Sequence, residues 1–176
     1  IRKNALRFFF ILATPAIMVV GLYMVNLLQP IPLVTRADGV YHSLSRSAEG
    51  DYLASSEQMT WKEKYLPMFY PIVYHRTLGE PVYFYSAVYA PTVLRAPIVH
   101  VWQYWSEEKG WQTASRISFP INGGREAGYR GYSQKESIAA GLWRVRVETE
   151  DGRTLSRRAF TVVEVNSPSD TTTEVL

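Results

Sequence analysis

His42, His75 and His100 are the side chains of this sequence best suited to moving a proton or binding a metal near neutral pH, and they lie in three separate segments. None stands in an HxxxH or HExxH arrangement, where two imidazoles one helical turn apart share a face, so no metal site is expected. Cysteine is absent, which excludes disulfides, thiolate nucleophiles and cysteine-bound zinc or iron–sulfur centres. A serine nucleophile would need an imidazole delivered to it in space, and the G-x-S-x-G elbow that presents such a serine is missing. Glu107 and Glu108 sit beside Lys109-Gly110 in a hairpin-like stretch, where solvation explains them. No catalytic residue and no cofactor is expected, and the chain is read as a non-enzyme.

Two stretches carry the chemistry of recognition instead. In residues 123–132, Gly123 and Gly124 let backbone N–H groups approach a partner, Arg125 and Arg130 offer forks for a carboxylate or phosphate, and Tyr129 and Tyr132 offer rings to stack on sugars. The competing reading is a tight β-turn, with glycines for positive φ and arginines for solvation. It is not a nucleotide loop, because GxxxxGK[ST] is missing and no helix is expected to follow. His100 and Trp102 share one face of a strand, and Arg144 and Arg146 share one face of another. On a common open sheet they would make an aromatic and cationic platform for a glycan, an anionic headgroup or a protein. The competing reading buries Trp102 in the core and makes His100 a hydrogen-bonded structural histidine.

The elements that would position these residues alternate with period two. Residues 82–90 and 98–105 read as strands, and further strands are expected near 111–121, 129–136, 142–149 and 154–163. Trp143, Val145 and Val147 take the core face of theirs. Glu107 to Gly110, Asn122-Gly123-Gly124 and Asp151-Gly152 supply the turns. Six short strands with frequent turns predict a mainly β fold, an immunoglobulin-like antiparallel β-sandwich over residues 80–165. Residues 30–79 read as a linker with a short strand at 40–46 and a short helix from Thr60 to Leu66, where Thr60 and Glu63 have capping-box spacing. Trp61, Tyr65, Phe69, Tyr70 and Tyr74 cluster around that helix, either as a patch at lipid-headgroup level or packed on the β-domain. Residues 166–176 are polar and read as a disordered tail.

Residues 8–28 hold no charged side chain. As a helix they would span about 31 Å, the thickness of a hydrocarbon core. Arg2, Lys3 and Arg7 precede the stretch and the next basic residue after it is Arg36, so positive-inside logic puts residues 1–29 in the cytoplasm and the membrane, and the remainder outside. The first residue is Ile1, and the chain is expected to be part of a longer protein, single-pass within this fragment. The net charge of +3 is mild and its arginines and lysines are scattered among acids, which gives no support for nucleic-acid binding. The lipid bilayer is the expected partner, together with a membrane protein or a cell-envelope glycan.

Several stretches resemble a bacterial membrane-protein family known as domain of unknown function 2914. They are residues 30–33 (PIPL), 41–42 (YH), 90–91 (AP), 100–104 (HVWQY), 123–132 (GGREAGYRGY), 141–145 (GLWRV) and 160–162 (FTV). The resemblance implies a C-terminal domain preceded by transmembrane helices, at the bacterial inner membrane with the domain in the periplasm. It brings no activity, cofactor or catalytic residue with it. The expected function is a membrane-anchored binding or assembly module. Two alternatives remain open, a structural subunit of a larger inner-membrane complex and a cell-envelope glycan-binding or hydrolytic protein.

Overall fold

The structure, a computed structural model, describes residues 13–22, 24, 33–48, 50–66, 70, 72–89, 97–119 and 129–176. It divides into two compact units, Ile1–Pro32 and Leu33–Leu176. In the first, residues 13–22 are helical (α1), with Ile17, Met18, Val19 and Val20 exposed. Among the described residues no helix is long and apolar enough to cross a membrane. The rest of the apolar stretch 8–28, Met24 apart, lies outside them.

The second unit contains strands β1 (Val34–Tyr41), β2 (Ser43–Arg46), β3 (Tyr52–Glu57), β4 (Ile72–Thr77), β5 (Val82–Tyr89), β6 (Ile98–Ser106), β7 (Gly110–Phe119), β8 (Tyr129–Lys135), β9 (Gly141–Thr149), β10 (Thr154–Val165) and β11 (Thr171–Val175). One short helix, α2 (Trp61–Tyr65), lies among them. They form a three-stranded sheet β1-β5-β8, a five-stranded sheet β4-β10-β9-β6-β7 and a three-stranded sheet β11-β3-β2.

A β-sandwich stands at the centre. Val82, Phe84 and Val88 of β5 meet Ile98, Trp102, Val145, Val147, Phe160 and Val162 of the five-stranded sheet in one buried cluster. Strand β5 is also covered on its other side, where Tyr85 and Ala87 pack with Tyr41 and Ala54 in a second cluster. The sequence VYFYSAVY explains this, since both of its alternating faces are apolar or aromatic and both can therefore be buried.

Strands β5 to β10 fall within a few residues of the alternating stretches, and Gly110 and Gly152 take positive φ in the two expected hairpins. Three expectations are corrected. Residues 34–77 are not a linker but supply β1 to β4. Their strands are polar on one face, and β3 reads YLASSE, so hydrophobic alternation does not announce them. The tail is not disordered, because Thr171–Val175 pairs antiparallel with β3 and gains its order from backbone hydrogen bonds. The sandwich is not wholly antiparallel, because β4 pairs parallel with β10, Phe160 lying beside Ile72.

The capping box at α2 forms as its spacing predicts. The Glu63 carboxylate accepts from the Thr60 N–H and hydroxyl at 2.7 Å each, and Thr60 Oγ1 accepts from the Glu63 N–H at 3.4 Å. Of the aromatics nearby, Tyr74 is buried whereas Trp61, Tyr65 and Tyr70 are exposed. Phe69 lies outside the described residues.

Gly131 on β8 has a different reason to be glycine than a turn. A Cβ there would overlap the edge of the Phe119 ring, which packs edge-on to His100 at 4.7 Å. Gly131→Val should therefore lower stability by about 2 kcal/mol through forced repacking of Phe119. A urea midpoint equal to that of the parent protein would show that the ring can move aside freely.

Candidate functional site

The structure separates the residues singled out in the sequence. His100 and Trp102 point into the sandwich, each 0% exposed, and not onto an open platform. Their neighbours in register are Val147 and Val145, so Arg144 and Arg146 face the opposite side of the same sheet. Period two places them there, because Trp143, Val145 and Val147 already take the core side. A polar network spans the two sheets around His100. Its Nε2 lies 2.8 Å from Ser86 Oγ and its Nδ1 2.9 Å from Ser133 Oγ, while Trp102 Nε1–H donates to Ser133 at 2.9 Å. One neutral tautomer satisfies both ring nitrogens and the Trp102 N–H, with Ser133 donating to Nδ1 and Nε2–H donating to Ser86. Burial pushes the His100 pKa down to about 3.

Of the 123–132 stretch, Gly123, Gly124 and Arg125 lie outside the described residues. Tyr129 is half-buried, and no partner of its hydroxyl stands among the described residues. Arg130 donates to Asp51 Oδ1 at 2.8 Å, and that bond raises its pKa. Tyr132 is 44% exposed and rests against the rings of Tyr52 and Tyr83. Tyr132 and Arg130 face the β11-β3-β2 layer, away from His100, so the two candidate groups are not brought together.

A site that no motif announces lies beside α2. A cleft of about 390 Å³ is walled by Val40, Tyr41, Met59, Ile72, Val73 and Tyr74. Asp38, Glu57, Glu63, Glu174, His75 and Arg158 are the charged and titratable side chains that also line it. Glu57 is fully engaged, accepting from the His75 N–H at 2.8 Å and meeting His75 Nδ1 at 2.7 Å and His42 Nε2 at 2.9 Å. His42 Nδ1 lies 2.6 Å from Glu80, so His42 bridges two carboxylates while its ring stacks on Tyr74 at 4.2 Å. Burial acts to raise the Glu80 pKa, but hydrogen bonds from His42 and Thr77 outweigh it and hold the carboxyl below its ordinary value. At Glu63 burial is likewise outweighed, by Thr60 and the Val73 N–H, and the pKa is again lowered. Burial raises the Tyr41 and Tyr74 phenols, with nearby glutamates adding to it, which keeps both as hydroxyl donors.

Asp38 is neutralised by Arg158, whose Nε donates to it at 2.7 Å. The cleft is thus an apolar slot with a net-negative lining. His42, Glu57, His75 and Glu80 are scattered over 39 positions and carry no spacing signal, which is why the sequence does not disclose them. Among the described residues no group of three or more histidines and acids is placed to hold a metal ion.

No curated protein matches the chain. Three solved structures that resemble it do so weakly. An alkylpurine DNA glycosylase, AlkC, from Pseudomonas fluorescens, bound to DNA with an abasic-site analogue, aligns at 14% identity and a TM-score of 0.37 over 51% of this chain and 27% of its own. An immunoglobulin-like protein from Pseudomonas aeruginosa aligns at 14% identity and a TM-score of 0.40 over 74% of this chain and 96% of its own. A β-glucosidase from Listeria innocua, in complex with glucose, aligns at 12% identity and a TM-score of 0.34 over 62% of this chain and 15% of its own. The chain therefore spans about a quarter of the first of these and a smaller share of the third.

A family model described as "Protein of unknown function (DUF2914)" matches residues 95–162. That segment runs from the start of β6 into β10 and holds the stretches at 100–104, 123–132, 141–145 and 160–162, whereas those at 30–33, 41–42 and 90–91 fall before it. Over residues 95–162 the chain is thus similar to the DUF2914 family.

Proposed function

We propose that this chain is a non-enzymatic binding module, an immunoglobulin-like β-sandwich held on the periplasmic side of a bacterial inner membrane by the apolar stretch 8–28. The cleft beside α2 is the observation that carries the binding reading. Its volume falls within the range of small-ligand sites, and it combines apolar walls with a few fixed polar groups. The wall chemistry and net-negative lining suit an apolar body that bears an ammonium or guanidinium group, with the aliphatic part in the slot and the charge at the acids.

Two observations support the non-enzymatic part. The serines bonded to a histidine, Ser86 and Ser133, are sealed in the core with His100, beyond the reach of a substrate. Around the cleft, His42 and His75 hydrogen-bond to carboxylates, and no serine or threonine hydroxyl bonds their ring nitrogens among the described residues. The tether is supported by the charge-free stretch and its basic N-terminal flank.

Hexylammonium titrated into the detergent-solubilised chain should raise its melting temperature and shift Met59 methyl resonances, with 1-hexanol doing less. Met59→Trp, which replaces a lining residue of the slot by a bulkier one, should abolish the rise in melting temperature. Equal responses to amine and alcohol, or none to either, would remove the cleft as the binding site. The tether is tested separately: a chain that stays in aqueous solution without detergent overturns it.

A further inference from the structure

The outer face of the five-stranded sheet gathers positive charge that the acids among the described residues compensate only in part. Arg146 of β9 lies beside Val101 of β6, with Arg157 of β10 on one side and Arg116 of β7 on the other. Arg144 stands two residues from Arg146 on the same face. The acid among these positions is Glu148, 2% exposed, which takes Arg146 at 3.0 Å and Arg116 at 3.5 Å. Among the described residues no carboxylate lies within ion-pair distance of Arg144 or Arg157. Among the described residues this face thus carries four guanidiniums and one buried carboxylate, which two of them engage. Burial, with Arg157 and Arg146 as like-charged neighbours, lowers the Arg144 pKa, so the crowding is felt within the folded chain. Like charges on adjacent strands oppose sheet formation. An external anion would relieve that opposition.

Aromatic surface adjoins the charge. Arg144 donates from Nε to Gln103 Oε1 at 2.7 Å, and its guanidinium lies 4.0 Å from the centroid of the Trp111 ring. Trp111 in turn meets Trp105, which is 46% exposed, at 5.3 Å. A bulge makes this arrangement. Trp102 pairs with Ser115 but Gln103 pairs with Thr113, so Ala114 is the extra residue and Trp111 shares a face with Arg116 despite their odd spacing.

We propose that this face binds an acidic saccharide, its carboxylate held by Arg144 and Arg157 and a sugar ring resting on the Trp105 indole. Guanidinium forks match a carboxylate, and an exposed indole matches the C–H face of a pyranose. A continuous anionic plane fits less well, because Glu107 and Glu108 are exposed on the hairpin that carries Trp105 and would meet it. A discrete acidic sugar avoids them. The proposal is independent of the cleft and of the membrane tether.

The test uses the full chain in mild non-ionic detergent at low salt, titrated with trigalacturonate and with its methyl ester, which keeps the sugar and removes the charge. Trigalacturonate should change tryptophan fluorescence saturably, bind at least about tenfold more tightly than the ester, and weaken as salt is added. Arg144→Gln with Arg157→Gln should abolish that preference while the urea midpoint stays at or above that of the parent, and Trp105→Ala should weaken acid and ester alike. Equal affinity for acid and ester overturns the proposal, as does absence of saturable binding at millimolar trigalacturonate. Binding to phosphatidylglycerol vesicles without binding to the saccharide overturns it in favour of lipid headgroups.

Discussion

Lowering the pH from 7 to 4 should cost the folded protein about 3 kcal/mol through His100 alone. The imidazole is fully buried, and burial brings its pKa from 6.5 to about 3. An unfolded chain accepts the proton once the pH drops below the ordinary histidine value, whereas in the native core the charged imidazole would be stripped of water. Both nitrogens already face serine hydroxyls, and the rings of Phe84 and Phe119 stand edge-on at 4.8 Å and 4.7 Å. The sign follows from the depressed native pKa. Stability from this group is complete above about pH 6.5 and is lost as pH falls towards 3, at about 1.4 kcal/mol per unit in between.

Carboxylates also weaken the fold in acid, but in a lower window. Glu63 and Glu80 have lowered pKa values, so their contribution is present above the ordinary carboxylate range and declines beneath it. The interval from pH 6.5 to 5 therefore lies above the window of these two carboxylates. Urea unfolding across that interval should lose stability more steeply for the parent than for His100→Gln, which keeps a polar group but cannot titrate, and the difference between the two slopes reports His100. Should His100→Gln fold too weakly to measure, Ser86→Ala offers a second route, since it keeps the buried imidazole and should keep the slope. Parent and His100→Gln with the same acid slope would mean that the native state admits the proton.

The same network shows what a sequence does and does not disclose. Alternation in residues 82–165 is legible because each strand there buries one face or both against large apolar side chains, and burial is what hydrophobic pattern records. Trp143, Val145 and Val147 consequently take the core side as their spacing predicts. The pattern of His100 and Trp102 is equally clear, but period two says which residues share a face and leaves open which face is inside. The register with Val145 and Val147 decides it. Strands β1 to β4 and β11 escape the pattern because backbone pairing, ion pairs and hydrogen bonds hold them as much as apolar burial does. Arg158 reaches Asp38 across 120 positions, and Glu57 collects two histidines 15 and 18 positions away. No local window contains both ends of such a bond. The cleft, built from those strands, was illegible for the same reason, and so was the Arg–Trp face, whose composition depends on a one-residue bulge at Ala114.

Replacing Arg76 with leucine should destabilise the protein by about 4 kcal/mol, more than most single substitutions. Arg76 lies in β4 and is 5% exposed, an uncommon burial for arginine. Its donors are spent mainly on backbone. Nε–H donates to the Glu80 carbonyl at 2.7 Å, one terminal nitrogen to the Ile138 carbonyl at 2.9 Å and the other to the Glu136 carbonyl at 3.1 Å. The nearest carboxylate, Glu164, is half-exposed and stands at 3.9 Å. The side chain thus acts as a three-way clasp that binds the turn after β4 to the segment between β8 and β9. Leucine fills part of the space but leaves three carbonyls without that donor, each at a cost of about 1 to 3 kcal/mol where water cannot replace it. Lysine keeps the charge yet has no planar fork, so Arg76→Lys should lose about half as much. Because the clasp holds the turn that carries Glu80, and Glu80 anchors His42, the leucine variant should also weaken hexylammonium binding at the cleft. Urea midpoints for the three proteins, ordered arginine, lysine, leucine, test the clasp. If lysine and leucine proved equal, the forked hydrogen bonding would not be what holds this corner, and a leucine variant as stable as the parent would mean that water reaches all three carbonyls.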